Sequence, residues 1–384
     1  MSDSKTNREA GFTLLEVLVA TTLMLVILAA TLGTLTDAIH ATEGVTLMAD
    51  TQENLRAGMN YIQRDLVQAG EGLPQSGITI PNTGGVSAVN RPGPSGIGTF
   101  PTSWTVLPDI SPGYQLGLTT TASGVATDMI TLIYADNTLI DSSANHHWLN
   151  EYPINTPGGG TNCSGATPTP NGTISASGST TTITFDSTCI NINTGNTALA
   201  VGDLIMLQAN GGGMALLTVS SVNLASNQIV FNSTTDPFAL NSSGKTAGTI
   251  AQIQSPAGSG TYTTTTATRV WMITYYIANS TGSAGNPAVP MLMRQVNMRA
   301  AQPVGEVIEN MQFYYDVLTA GSSPPTVTPE VANPTAAQLP YVRDAYVLLF
   351  ARSENPFSVS HQYFRNNLET VVNIRSLNFY NEFK

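Results

Sequence analysis

From Phe12 to Thr36 apolar side chains follow one another almost without interruption, in the run FTLLEVLVATTLMLVILAATLGTLT, and Glu16 is its only ionisable residue. A helix of that length, rising about 1.5 Å per residue, spans a hydrocarbon core of about 30 Å. Residues 1–11 are polar and carry Lys5 and Arg8, which the positive-inside tendency keeps cytoplasmic. Everything after the helix is then expected outside the inner membrane. Beyond Thr36 the pattern turns amphipathic. Met48, Leu55, Met59, Ile62 and Leu66 recur at spacings of three, four or seven, and Glu53, Arg56, Arg64 and Asp65 are assigned to other faces. Gly70, Gly72 and Pro74 form a stop, while Gly44 and Gly58 weaken the expected continuity. If unbroken from Phe12 to Ala69, the helix is roughly 87 Å long at about 1.5 Å per residue.

From Gln75 onward helical periodicity fades and short β-branched and aromatic runs take over, separated by Gly, Pro, Ser, Thr and Asn. Strands are predicted over Asp128–Ala135, Asp203–Gln208, Ala215–Val222, Gln228–Phe231, Arg269–Ile277, Asn310–Val317 and Arg343–Ala351. Another includes Val372 and Ile374. Together they predict a mainly antiparallel sheet, and an α+β fold class. Three stretches read as surface loops: Gln75–Ser103, Thr156–Thr182 and the proline-rich Ser322–Gln338. The expected divisions are residues 1–11, 12–36, 37–72 and 73–384, with a subdivision of the last near Gly258.

Composition narrows the function. Charged residues are only 10% of the chain, against about 25% in an ordinary soluble domain, so the surface is neutral polar. With 14 basic and 25 acidic side chains the net charge is -11, which disfavours binding along a phosphate backbone. Catalytic motifs are missing: there is no Gly-x-Ser-x-Gly elbow, Walker loop, Rossmann glycine fingerprint or His-Glu-x-x-His. His146 and His147 are adjacent and would point to opposite faces of a strand, a poor start for a metal site. Asp128, Asp136, Asp141, Asp186, Asp203 and Asp236 flank strands, where they are expected to cap turns. No enzyme, cofactor or metal is expected.

A carboxylate inside an apolar helix costs a few kcal/mol unless paired. Glu16 therefore needs either a partner or, as a plain signal anchor, a path to the headgroups. Gly11-Phe12-Thr13-Leu14-Leu15-Glu16, after a short charged leader and before about twenty apolar residues, resembles the class III signal of type IV pilins and type II secretion pseudopilins. The resemblance implies that a prepilin peptidase cuts between Gly11 and Phe12 and methylates the new amine of Phe12. It also implies that Glu16 faces the Phe12 ammonium of a neighbouring subunit. Further along, MITLIYADN, TYYIAN, VIENMQFYYDV and YVLLFARS, in that order, resemble the body of PilW-type minor pilins. That likeness implies a non-catalytic role in priming or tipping a type IV pilus. Its implied partners are other minor pilins, the major pilin, an inner-membrane assembly platform and a tip adhesin. A type II secretion pseudopilin and a signal-anchored periplasmic binding or adhesion protein are the alternatives.

Cys163 and Cys189 enclose about 25 residues, and in an oxidising compartment a disulfide closing that loop would stabilise the fold by about 3 kcal/mol. Two free thiols are the other reading. Mass spectrometry of the membrane-associated protein is expected to show loss of residues 1–11 and one added methyl group. An intact Met1, or cleavage within residues 20–40, would refute this processing.

Overall fold

The computed structural model describes residues 12–75, 77–81, 88–94, 96–119, 124–136, 153–158, 170–187, 189–190, 192, 199–242, 244, 247–255, 259–280, 288–319 and 326–377. Helix α1 runs without interruption over Leu14–Gln68, 55 residues, with Thr13 and Ala69 as its caps. Gly44 and Gly58 do not break it. At about 1.5 Å per residue it is roughly 83 Å long, close to the length expected from the sequence.

Seven strands form the central antiparallel sheet: β1 (Ile110–Gly113), β2 (Met129–Ala135), β3 (Leu204–Ala209), β4 (Met214–Thr218), β5 (Thr265–Asn279), β6 (Pro290–Val296) and β7 (Gln302–Glu306). β5 organises this sheet. Its residues Thr265–Val270 pair with β3, Val270–Tyr275 with β2 and Ile273–Asn279 with β6. A second antiparallel sheet is built from β8 (Ile308–Leu318), β9 (Val327–Val331), β10 (Val342–Arg352) and β11 (Arg365–Asn373), in the order β9-β8-β10-β11. Burial alternates along β8 and β10, as one-sided packing requires. A third sheet joins Thr173–Ser177, Thr180–Thr184, Gln228–Asn232 and Ser221–Asn223 and encloses its own apolar cluster around Ile183, Ile229 and Phe231. The fold is therefore α+β: one long N-terminal helix and a large antiparallel β body.

Apart from one loop contact near Glu43, α1 packs on that body only at its end. Leu55, Met59, Ile62 and Leu66 are buried in one cluster with Ile130, Leu132, Tyr275 and Ile277 of the central sheet and Met311, Phe313, Val347 and Leu349 of the second. Each such side chain contributes about 1.5–3 kcal/mol on burial. Met48, expected on the same stripe, is 44% exposed, and Thr51 is the first buried residue of the helix. Asp65 also departs from expectation. It was assigned to a polar face, yet it lies three residues beyond Ile62, within the buried arc, and is fully covered.

Two predicted surface loops are partly internal. Ile78, Ile80, Val89 and Phe100, within the Gln75–Ser103 stretch, are buried against the other face of the central sheet. Short strands Ile78–Thr79, Asn90–Gly93 and Gly96–Thr99 carry them there. Thr156–Thr182 likewise contains the strand Thr173–Ser177. Prolines concealed other strands from the pattern. Pro329 lies in β9 and Pro303 in β7, each strand at the edge of its sheet, where a missing N–H costs no ladder bond. Gly258, proposed as a subdivision point, lies outside the described residues. β3, earlier in the chain, and β5, after it, are neighbours in one sheet.

Gly58 lets the helix approach closely: a Cβ there would lie 2.9 Å from Leu292 Cδ2, itself fully buried. Gly58→Val is expected to destabilise the full chain by roughly 1–3 kcal/mol through overpacking. Gly44→Ala, whose Cβ would meet only Phe357 at 3.7 Å, should be neutral or stabilise by up to about 1 kcal/mol. Chemical denaturation midpoints of the two variants test both values.

Candidate functional site

The start of α1 satisfies itself. The Thr13 backbone N–H and hydroxyl donate to Glu16 Oε2 at 2.9 and 3.0 Å, and the Glu16 N–H donates back to Thr13 Oγ1 at 3.3 Å. This reciprocal capping box holds the carboxylate at the positive end of the helix. Glu16 is thus not stranded in a single chain, which the reading from sequence did not anticipate. Phe12 is 86% exposed, and Gly11 lies outside the described residues. Leu14, Leu15, Leu18, Leu23, Leu25, Ile27, Leu28, Leu32 and Leu35 are all exposed as well. A helix apolar on every side and covered by none of its own body requires a membrane or other helices around it. Among the described residues this is the one helix long and apolar enough to cross a membrane.

A strap grips α1 just past that segment. The loop between β10 and β11 brings Ser358 to the helix, where its N–H donates to Glu43 Oε1 at 2.9 Å and its hydroxyl to Oε2 at 2.8 Å. These two bonds, with His40 3.6 Å away, hold the Glu43 carboxyl below the ordinary carboxylate range.

Farther down, a buried polar node fixes the rotation of the helix. The Tyr275 hydroxyl donates to Asp65 Oδ2 at 2.6 Å and Arg294 Nε donates to the same oxygen at 2.7 Å. Burial, and then the Asp65 charge, push the Tyr275 hydroxyl far above its usual value, so it remains a donor. A second node lies on the same sheet: Arg269 pairs with Asp136 and Asp203, and Arg299 with Asp203. Asp136 and Asp203 were expected as turn caps. Asp203 does accept from Ala200 N–H, but its charge is committed to arginines. Asp236 does cap its turn, accepting from the backbone N–H groups of Phe238, Leu240 and Asn241, whereas Asp128 accepts from the distant N–H groups of Gln115 and Phe313 and so ties separate segments together. The sequence signal missed for the first node was an acid within an apolar stripe, at Asp65; its partner Arg294 lay in no predicted strand.

Cys189 is buried and is not a free thiol. Its expected partner Cys163 lies outside the described residues, as do His146, His147 and Asp141. Among the described residues no group of three His, Cys, Asp or Glu side chains could hold a metal ion.

Where α1 ends, Gly70 turns with φ +77, and a Cβ there would collide with the Asp109 carboxylate and the Ser376 hydroxyl. Ser376 caps the helix, its hydroxyl donating to Ala69 O at 2.5 Å. Asp109 Oδ1 is buried without a hydrogen-bond partner, and burial pushes its carboxyl up to about 7.

A family model described as the prokaryotic N-terminal methylation motif matches residues 6–32. No curated protein matches the chain, and no solved structure does. The match covers the capping box and most of the exposed apolar turns. It supports a type IV pilin or pseudopilin: a structural protein with a prepilin-type signal, anchored by its apolar helix.

Because the folded state binds the Asp109 proton more tightly than the unfolded chain, its stabilising contribution is complete below about pH 4 and lost as pH rises through about 7. Denaturation of the full chain across pH 4–8 should show wild type losing stability relative to Asp109→Asn, by at most about 4 kcal/mol. Parallel curves would contradict this.

Proposed function

We propose that this chain is a PilW-type minor pilin that takes part in priming or tipping a type IV pilus. The observation that carries the reading is an apolar helix, exposed on all sides, that begins at a capped glutamate within a matched methylation motif. In this account a prepilin peptidase cuts between Gly11 and Phe12 and methylates the Phe12 amine. Residues 12–36 hold the precursor in the inner membrane, with residues 73–384 in the periplasm. On assembly the same turns pass into a bundle of helices from the major pilin and other minor pilins, delivered by the inner-membrane platform.

Glu16 has a double part in this proposal. The capping box occupies its carboxylate while the chain is alone, and a neighbour's Phe12 ammonium then offers a full opposite charge in place of the neutral Thr13 donors. An ion pair in low dielectric is favourable only with good geometry, and strongly penalised when one partner is missing, so it selects stagger. A disulfide between Cys163 and Cys189 belongs to the same periplasmic reading.

Two experiments test the function. Glu16→Ala should remain in the membrane fraction, since removing a charge eases insertion, but should fall at least tenfold in the sheared filament fraction. Unchanged incorporation would favour a plain anchored binding protein. Purification of the chain from membranes should bring down pilin-assembly components, whereas recovery of exoprotein-secretion components instead would assign it to a type II secretion pseudopilus.

A further inference from the structure

Between α1 and the β6–β7 hairpin lies an open cleft of about 690 Å³, lined among others by Tyr61, Tyr134, Trp271, Arg294, Arg299 and Val304. That volume falls in the range of small-molecule sites, about 300–1,000 Å³. Its charges are arranged in layers. Four arginines, Arg64, Arg269, Arg294 and Arg299, gather at the cleft and its aromatic walls, in a chain with only 14 basic residues. Their three carboxylate partners, Asp65, Asp136 and Asp203, are at most 1% exposed, whereas Arg299 is 47% and Arg64 56% exposed. Arg299 and Arg64 therefore meet the solvent, Arg294 reaches the cleft from a more buried position, and the balancing acids lie beneath them.

Four cations over three anions leave one excess positive charge. Hydrogen bonding has the same bias. Arg294 commits its Nε and Arg299 its Nη2 to carboxylates, and a guanidinium has five N–H groups, so both retain donors at the cleft. Neither the Tyr61 nor the Tyr134 hydroxyl has a hydrogen-bond partner among the described residues, and burial pushes Tyr134 up to about 12, so it too stays a donor. The walls between these donors are apolar, from Trp271, Ile273, Val296 and Val304.

We propose that this cleft binds an organic monocarboxylate whose charged group is carried next to an apolar or aromatic body. One negative charge matches the single excess positive charge, and two guanidinium groups suit the planar, two-oxygen geometry of a carboxylate. Aromatic and aliphatic walls take the body of the ligand. A dianionic phosphate would overshoot the charge and leave these walls unused. The carboxylate comes either from a small free acid or from the C-terminus of a peptide. Pilin and pseudopilin alike could carry such a site, so its failure leaves the assembly reading untouched.

The test uses the full chain in detergent micelles, titrated with 3-phenylpropionate and with its neutral amide, 3-phenylpropanamide, which partitions into micelles without the charge. Saturable binding of the acid, at least tenfold tighter than the amide, is expected. Arg299→Gln should bring the acid to the level of the amide, and Tyr61→Ala, at an exposed helix position, should weaken both to a similar degree. The two variants read charge and wall separately, so a general loss of fold cannot mimic the pattern. A peptide ending in a free Phe carboxylate, compared with its C-terminal amide, separates the sources. Tighter binding than 3-phenylpropionate assigns the carboxylate to a chain end, and equal or weaker binding assigns it to a small acid. Equal affinity for acid and amide, no saturation, or an acid preference that survives Arg299→Gln would overturn the proposal.

Discussion

A helix of 55 residues is held to its β body through the buried stripe that begins at Thr51 and by one strap at Glu43, and everything else about the molecule follows from that uneven attachment. The stripe of Leu55, Met59, Ile62 and Leu66 can be buried because two sheets meet on it, β5 and β6 of the first and β8 and β10 of the second. Gly58 brings the helix axis near enough for Leu292 and Leu349 to reach it. The other end has no such cover. Its side chains are apolar on all faces, so the same chain carries a finished soluble core and an unfinished one that must be completed by lipid or by other helices.

Burial alone would tolerate rotation of the helix about its axis, since Leu, Ile and Met side chains pack without strict direction. Asp65 does not tolerate it. A carboxylate with hydrogen bonds from Tyr275 and Arg294 has one position in which it is satisfied, and a misplaced helix would strand a buried charge. The node therefore specifies orientation more than it adds stability, and Glu43 with Ser358 fixes the direction in which the helix leaves the body. Rigid projection of the apolar half at a set angle is what a subunit needs if its neighbours are to stack at constant stagger.

Much of this was legible in the residues. The helix and the long strands β2, β5, β8 and β10 announce themselves by local periodicity and length, which depend only on near neighbours in the chain. Partnerships across the fold do not. Tyr275 and Arg294 lie 210 and 229 residues from Asp65, and no local pattern ties an acid at one end of a helix to arginines in distant strands. Ile78, Val89 and Phe100 were read as loop because glycine and proline surround them, yet tertiary packing used them to cover the second face of the central sheet. At the N-terminus, the motif containing Glu16 was readable, but not its capping box: Thr13 lies at the N-cap, with Glu16 three residues on, and the apolar context drew attention to an intermolecular partner first.

One continuous rod, seated through its last third and strapped once above, is the physical claim on which assembly depends. Hydrogen exchange of the full chain in micelles tests it residue by residue. Amides of residues 51–66 should exchange only through unfolding of the body, and those of residues 45–50 should exchange faster, through local opening, without an abrupt break at Gly44 or Gly58. If residues 51–66 exchange as readily as 45–50, or if protection collapses at either glycine, the helix is not seated as one rod and the account fails.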